Sequence, residues 1–158
     1  SAAALARAKP LLDLMGKHVF HVGPTGAGHT MKAINNVTTA LSFLCTAEAL
    51  LIGKSYGLNA KAMLDVMNVS TGYSFATQNR FLYDVITRKF EDRFKLDLML
   101  KDMGIARQLA EAHRLPVPMT DLGTERWQQA VDTLGRGAVT TEIVRFVEQE
   151  MGVELKDE

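Results

Sequence analysis

The sequence predicts an all-α domain, and three observations carry that reading. Apolar residues recur at helical spacing over most of the chain, glycines and prolines fall between those stretches, and only one short segment alternates as a strand would. With 158 residues, 47% of them hydrophobic and 23% charged, the chain has the composition of one globular domain with a core of its own. Disordered and fibrous folds do not fit that composition.

Ala2 to Met15 sets Leu5, Ala8, Leu11, Leu12 and Met15 on one stripe and stops at Gly16, which predicts a short helix. Lys17 to Val22 alternates polar and apolar residues, the pattern of a strand with one covered face. A single strand makes no sheet, so this segment needs partners that the sequence does not contain. One long helix then runs from His29 to about Tyr56, opening after Gly28 and closing at Gly57. Leu41, Phe43, Leu44, Cys45, Leu50, Leu51 and Ile52 leave little of its middle for water, which places it centrally or against another subunit.

Asn59 is positioned to cap a short helix, Ala60 to Asn68, which Ser70-Thr71-Gly72 breaks. Ser74 to Ile86 reads as a weakly patterned helix. Phe94 to His113 is strongly amphipathic through Leu96, Leu100, Met103, Ala106, Leu109 and Ala110, and Pro116 with Pro118 marks the break behind it. Thr120 to Leu134 forms the next helix, ending at Gly135-Arg136-Gly137, and Thr140 to Met151 the last, with Ile143, Val144, Phe146 and Val147 on its apolar face. Trp127 is read as a packing residue.

Eighteen basic residues balance eighteen acidic ones, so no overall field draws the chain to nucleic acid or to an anionic membrane. The lone cysteine, Cys45, forms no intrachain disulfide and reads as a small buried hydrophobe, which suits a reducing compartment. The uncharged run Ala33 to Ala47 is short and carries Asn35, Asn36, Thr38, Thr39, Ser42 and Thr46, a poor membrane span. The first residues lack the long apolar region of a secretory signal, so the expected location is the cytoplasm. His18, His21, His29 and His113 lack the paired spacing of a metal site, and no metal is expected.

Gly23-Pro24-Thr25-Gly26-Ala27-Gly28-His29-Thr30-Met31-Lys32-Ala33-Ile34-Asn35-Asn36 is the most informative stretch. Its glycines permit a sharp reversal into the long helix, and that alone would account for them. The order G-x-x-G-x-G is not the G-x-G-x-x-G dinucleotide fingerprint, and no parallel βαβ unit follows. Lys32 and Asn36 lie four apart on one helix face, where both can grip one small molecule. The positive helix end and partial burial would lower the Lys32 pKa toward neutrality, which suits proton exchange with a substrate oxygen. Asn36 offers a donor and an acceptor that could hold a hydroxyl or carboxylate. A solvated lysine beside an asparagine that bonds its neighbours is the competing reading.

That glycine, lysine and asparagine pattern, with Glu48-Ala49 and the later Phe94-x-Leu96-x-Leu98-x-Leu100-Lys101-Asp102, resembles the β-hydroxyacid dehydrogenase family, the group of 3-hydroxyisobutyrate dehydrogenase and tartronate semialdehyde reductase. The likeness runs from about Lys9 to Val153. It implies an all-α carboxy-terminal domain like that of 6-phosphogluconate dehydrogenase-like enzymes over residues 24–158. Residues 1–23 would be the last helix and strand of a Rossmann domain otherwise missing here. It further implies NAD or NADP as cofactor, a small β-hydroxyacid or its semialdehyde as substrate, Lys32 as general acid/base, and Asn36, Asn35 and Gly28 around the substrate. Phe94, Lys101 and Asp102 would lie at the cofactor edge, Lys101 near a ribose or phosphate and Asp102 steadying the lysines or the site wall. Phe94 as plain core and Lys101-Asp102 as an exposed helical pair stand as alternatives.

The family's serine-glycine-glycine substrate loop would precede Ser1, and the loop of Asn68, Ser70 and Thr71 would lie beside the substrate. The resemblance leaves open the choice among hydroxyisobutyrate, tartronate semialdehyde, succinic semialdehyde and sulfonated aldehydes, and between the two nucleotides. A chain with these parts alone is expected to lack catalysis, since hydride transfer needs both halves of the cleft. It would assemble as a homodimer or homotetramer through the long apolar helix, and the alternative to an enzyme is a helical oligomerisation domain without activity of its own.

Overall fold

In a computed structural model, which describes residues 1–157, six α-helices, one π-helical segment and one 3-10 turn follow in the predicted order. The helices are α1 (Ala2–Met15), α2 (Ala27–Ser55), α3 (Ala60–Asn68), α4 (Leu96–Ala112), α5 (Pro118–Leu134) and α6 (Ile143–Met151). The π-helical segment is Ala76–Val85 and the 3-10 turn Thr140–Glu142.

Lys17 to Val22 is not a strand, because no other segment among the described residues pairs with it. Among the described residues, backbone ladder pairing is limited to one isolated antiparallel bridge, Lys95 with Val139, which ties the start of α4 to the entry of the 3-10 turn. Gly26 caps α2 in a left-handed conformation (φ 97°) that a side chain would strain, so this glycine has a local structural reason. Gly28 falls inside the first turn of the helix, and Gly57 (φ 95°) closes the far end beyond Tyr56. Asn59 caps α3 as expected, accepting from the Ala62 amide at 2.8 Å.

The weak pattern of residues 74–86 has a physical origin. Ala76, Phe81 and Val85 are buried at successive spacings of five and four residues, and the amide of Ile86, also buried, reaches back to the Phe81 carbonyl at 3.0 Å. A π turn puts such positions on one face where an α turn would not. α5 starts two residues earlier than expected, because Pro118 suits a first helical position and does not merely end the preceding loop. Similarly, the first turn of the last predicted helix tightens to 3-10 geometry.

α2 forms the axis and packs against α3, α4, α5, α6 and the π-helical segment. Ala40, Phe43, Ala47, Leu50 and Leu51 are buried along it. Phe43 meets Phe81 (ring centroids 5.7 Å apart) and the edge of Trp127 (6.5 Å), whose indole N–H donates to the Ala40 carbonyl at 3.3 Å. Among the described residues α2 is the one helix long and apolar enough to cross a membrane, counting all 29 of its residues, yet its covered face is the middle of this core. Cys45 departs from expectation: it is exposed, because the helix turns that position away from Phe43, Leu44, Thr46 and Ala47. α1 buries no residue, and Leu11, Leu14 and Met15 are exposed on it.

Candidate active site

Lys32 and Asn36 stand one turn apart on α2 and face Asp102 of α4. The Lys32 ammonium and the Asn36 amide nitrogen both donate to Oδ2 of Asp102, the amide at 2.7 Å. Lys101 Nζ lies 3.4 Å from Oδ1 of the same carboxylate. The Asp102 side chain is 4% exposed and that of Lys32 57%, so the carboxylate is sunk between the helices while the ammonium reaches solvent. Burial pushes the Asp102 carboxyl up, but the hydrogen bonds from Lys32 and Asn36, the Lys32 charge and Lys101 outweigh it and hold the group below the ordinary aspartate value. The expected burial of Lys32 is not found: its ammonium is mostly exposed and held by a carboxylate.

The arrangement also orients Asn36. Asp102 is an acceptor, so the asparagine turns its nitrogen toward it and its carbonyl oxygen away. Lys32, Asn35, Asn36, Thr39 and Phe43 form one wall of a cavity of about 480 Å³; the other walls carry Phe75, Arg80, Asp92, Phe94, Met99 and Thr140. The structure thus brings Lys32, Asn35, Asn36 and Phe94 to one space and sets Asp102 behind it. Gly28, one turn before Lys32, does not line that space. Lys101 is exposed on α4 outside it. Asn68, Ser70 and Thr71 are also outside the lining, and the Asn68 amide is occupied with the Thr77 carbonyl at 3.3 Å.

Arg80, Asp92 and Thr140 escaped the sequence reading. Arg80 Nη2 lies 3.3 Å from Asp92 Oδ1, its guanidinium stands 5.4 Å from the Phe75 ring centroid, and the Thr140 hydroxyl donates to Asp92 Oδ2. They come from a π-helical wall, a loop and a 3-10 turn far apart in sequence, and none carries a local motif.

The site is thus an all-α cavity lined by a lysine and an asparagine, with a buried aspartate behind them holding both. Residues 26–147 match the family described as NAD-binding of NADP-dependent 3-hydroxyisobutyrate dehydrogenase, and the chain belongs to this β-hydroxyacid dehydrogenase family. It is similar to a 2-(hydroxymethyl)glutarate dehydrogenase of Eubacterium barkeri, 31% identical over 156 residues that are 98% of this chain and 52% of that one. An NAD-dependent L-serine dehydrogenase of Pseudomonas aeruginosa is 35% identical over 127 residues, 77% of this chain and 43% of its own. In structure, a Mycobacterium tuberculosis 3-hydroxyisobutyrate dehydrogenase with L-serine shares the fold, with a TM-score of 0.83 at 23% identity over 93% of this chain and 52% of that one. The chain spans about half the length of the relatives it matches. NAD or NADP is the cofactor of the family.

Proposed function

We propose that the chain is the helical, catalytic half of an NAD(P)-dependent β-hydroxyacid dehydrogenase, with Lys32 as general acid/base. The observation that carries this is the shared hold of the cavity-lining Lys32 and Asn36 on the buried Asp102 behind them. Asp102 fixes both side chains in place, and the exposed ammonium retains N–H groups for a substrate oxygen. In the direction of reduction Lys32 gives its proton to the carbonyl oxygen as that oxygen becomes a hydroxyl; in oxidation the neutral amine takes the proton back. Asn36, with its oxygen turned from Asp102, accepts from the substrate hydroxyl, and Asn35 lines the same wall. Gly28, in the first turn of α2, has no direct place in this site; Gly26 opens the helix that carries Lys32.

The nicotinamide, when bound, exchanges the hydride with the substrate carbon. This chain fits the ring end of that cofactor: Phe94 offers an apolar wall in the cavity that Lys32 enters, and Lys101 stands outside that wall for a ribose or phosphate. Residues 1–23 are assigned to the nucleotide domain, a division supported by α1, which buries nothing against the helical body. A cytoplasmic location rests on the lone Cys45 and the balanced charge.

Lys32→Ala in the full-length enzyme is expected to lower kcat by about 10²–10⁴-fold with either nucleotide. Turnover within tenfold of wild type would remove Lys32 from the chemistry. A second reading, assembly through α2 into a dimer or tetramer, is favoured by the exposed Ile34, Ile52 and Tyr56 at its flanks. Sedimentation at tens of micromolar tests it, and a clean monomer counts against it.

A further inference from the structure

The cavity holds a second cationic group that the proton transfer does not use. Lys32, Asn36, Thr39 and Phe43 follow one another at helical spacing along the α2 wall, so Phe43 lies three turns, about 16 Å of helix rise, beyond Lys32. The π-helical segment is pinned at that far end by the contact of Phe81 with Phe43, and the residue before Phe81 is Arg80. Lys32 and Arg80 therefore root at opposite ends of one space.

Arg80 is only partly committed within the protein. Asp92 is its sole carboxylate contact among the described residues, at 3.3 Å, and that carboxylate is 6% exposed and already accepts from the Thr140 hydroxyl and, at 3.4 Å, from the Phe94 amide. No hydrogen bond among the described residues uses the Arg80 side chain, whereas Arg88 and Arg126 both donate to carboxylates. The Arg80 side chain is 37% exposed, and its guanidinium is steadied by the Phe75 ring and backed by Asp92, which leaves donor N–H groups for a ligand. A planar fork of this kind binds a carboxylate through paired hydrogen bonds.

We infer that Arg80 is a specificity-determining residue that anchors a second anionic group of the substrate, at the end remote from the reacting carbon, so that the preferred substrates are β-hydroxyacids carrying an additional carboxylate. This deepens the dehydrogenase reading and rests on it for the word substrate. The binding itself rests on Arg80 alone.

Two measurements on the full-length protein separate these. In the first, kcat/KM is compared between 3-hydroxypropionate derivatives that carry either a methyl or a carboxyethyl group at C2, in wild type, Arg80→Met and Arg80→Lys. The diacid-to-monoacid ratio is expected to fall roughly 10- to 100-fold in Arg80→Met, mainly through KM, and less in Arg80→Lys, which keeps the charge without the fork. A ratio within threefold of wild type in Arg80→Met overturns the assignment, whatever happens to the absolute rates. In the second, calorimetry measures glutarate and butyrate binding to wild type and Arg80→Met. Glutarate bound by wild type and lost from the variant supports the site; glutarate bound equally by both, or by neither, overturns it. Failure of wild type to oxidise any hydroxyacid, with glutarate still bound through Arg80, would strike the dehydrogenase reading and leave the anion site standing.

Discussion

The ammonium of Lys32 and the carboxylate of Asp102, seventy positions apart in sequence, close an ion pair between α2 and α4 in which the anion is buried and the cation is not. That asymmetry gives the two residues different work. A pair whose cation stands in solvent contributes modestly to stability, but a buried carboxylate that must be satisfied fixes where its donors stand. In the proposed dehydrogenase Asp102 would act as a positioning residue through Lys32 and Asn36.

Asp102→Asn is therefore expected to lower kcat about 10²-fold in the intact enzyme, because a lysine displaced by an ångström loses its alignment with the reacting oxygen. A purely structural role would leave the pH dependence of kcat unchanged. Movement of that profile, measured against wild type between pH 6 and 10, is the readout that distinguishes positioning from packing.

The same carboxylate makes stability depend on acid. Its folded value is depressed below the unfolded value of about 3.9, so its contribution is fully present above that value and is lost as the pH falls through the folded one. Urea unfolding at pH 6 should show wild type more stable than Asp102→Asn by roughly 1–2 kcal/mol, a modest figure because Lys32 is mostly solvated. That difference should shrink as the pH falls below the unfolded value and through the folded one. A gap that stayed constant with pH would mean the hydrogen-bond geometry of the side chain, not its charge, supplies the stability.

Backbone geometry at the entry of α2 yields a separate test. Gly26 holds φ 97° with open space around its α-carbon, so Gly26→Ala strains the backbone without a clash. The expected loss is about 1–2 kcal/mol in thermal or urea unfolding. Since α2 carries Lys32 and Asn36 in its second and third turns, kcat should fall as well.

Much of this was legible in the sequence where chemistry and periodicity sat on one helix. Leu96, Met103 and Ala110 marked the buried face of α4, and Lys32 with Asn36 announced a polar face on α2. Lys17 to Val22 misled because alternation records a preference for a half-covered surface and cannot supply the neighbouring strands. Cys45 misled because residues of an apolar run do not all face inward on a helix with 3.6 residues per turn. Arg80, Asp92 and Thr140 were illegible for another reason: tertiary packing alone gathers a π-helical wall, a loop and a 3-10 turn.

The carboxy-terminal tail is secured by one buried acid, and the final prediction concerns it. Glu148 Oε1 accepts from Arg88 Nη1 at 2.5 Å and from the Leu155 amide at 2.7 Å, while Arg88 also donates to the Leu155 carbonyl at 3.1 Å. Leu155 is fully buried, so the clip seats its side chain in the core. Glu148→Ala removes both contacts and leaves Arg88 without this carboxylate and a buried amide without an acceptor. The cost should be roughly 2–4 kcal/mol, accompanied by faster proteolytic cutting beyond Met151. Glu148→Gln keeps an oxygen for the Leu155 amide and loses only the charge, so it should fall between wild type and the alanine variant. Equal destabilisation by the two substitutions would show that the Arg88 charge pair, rather than the Leu155 amide contact, holds the tail.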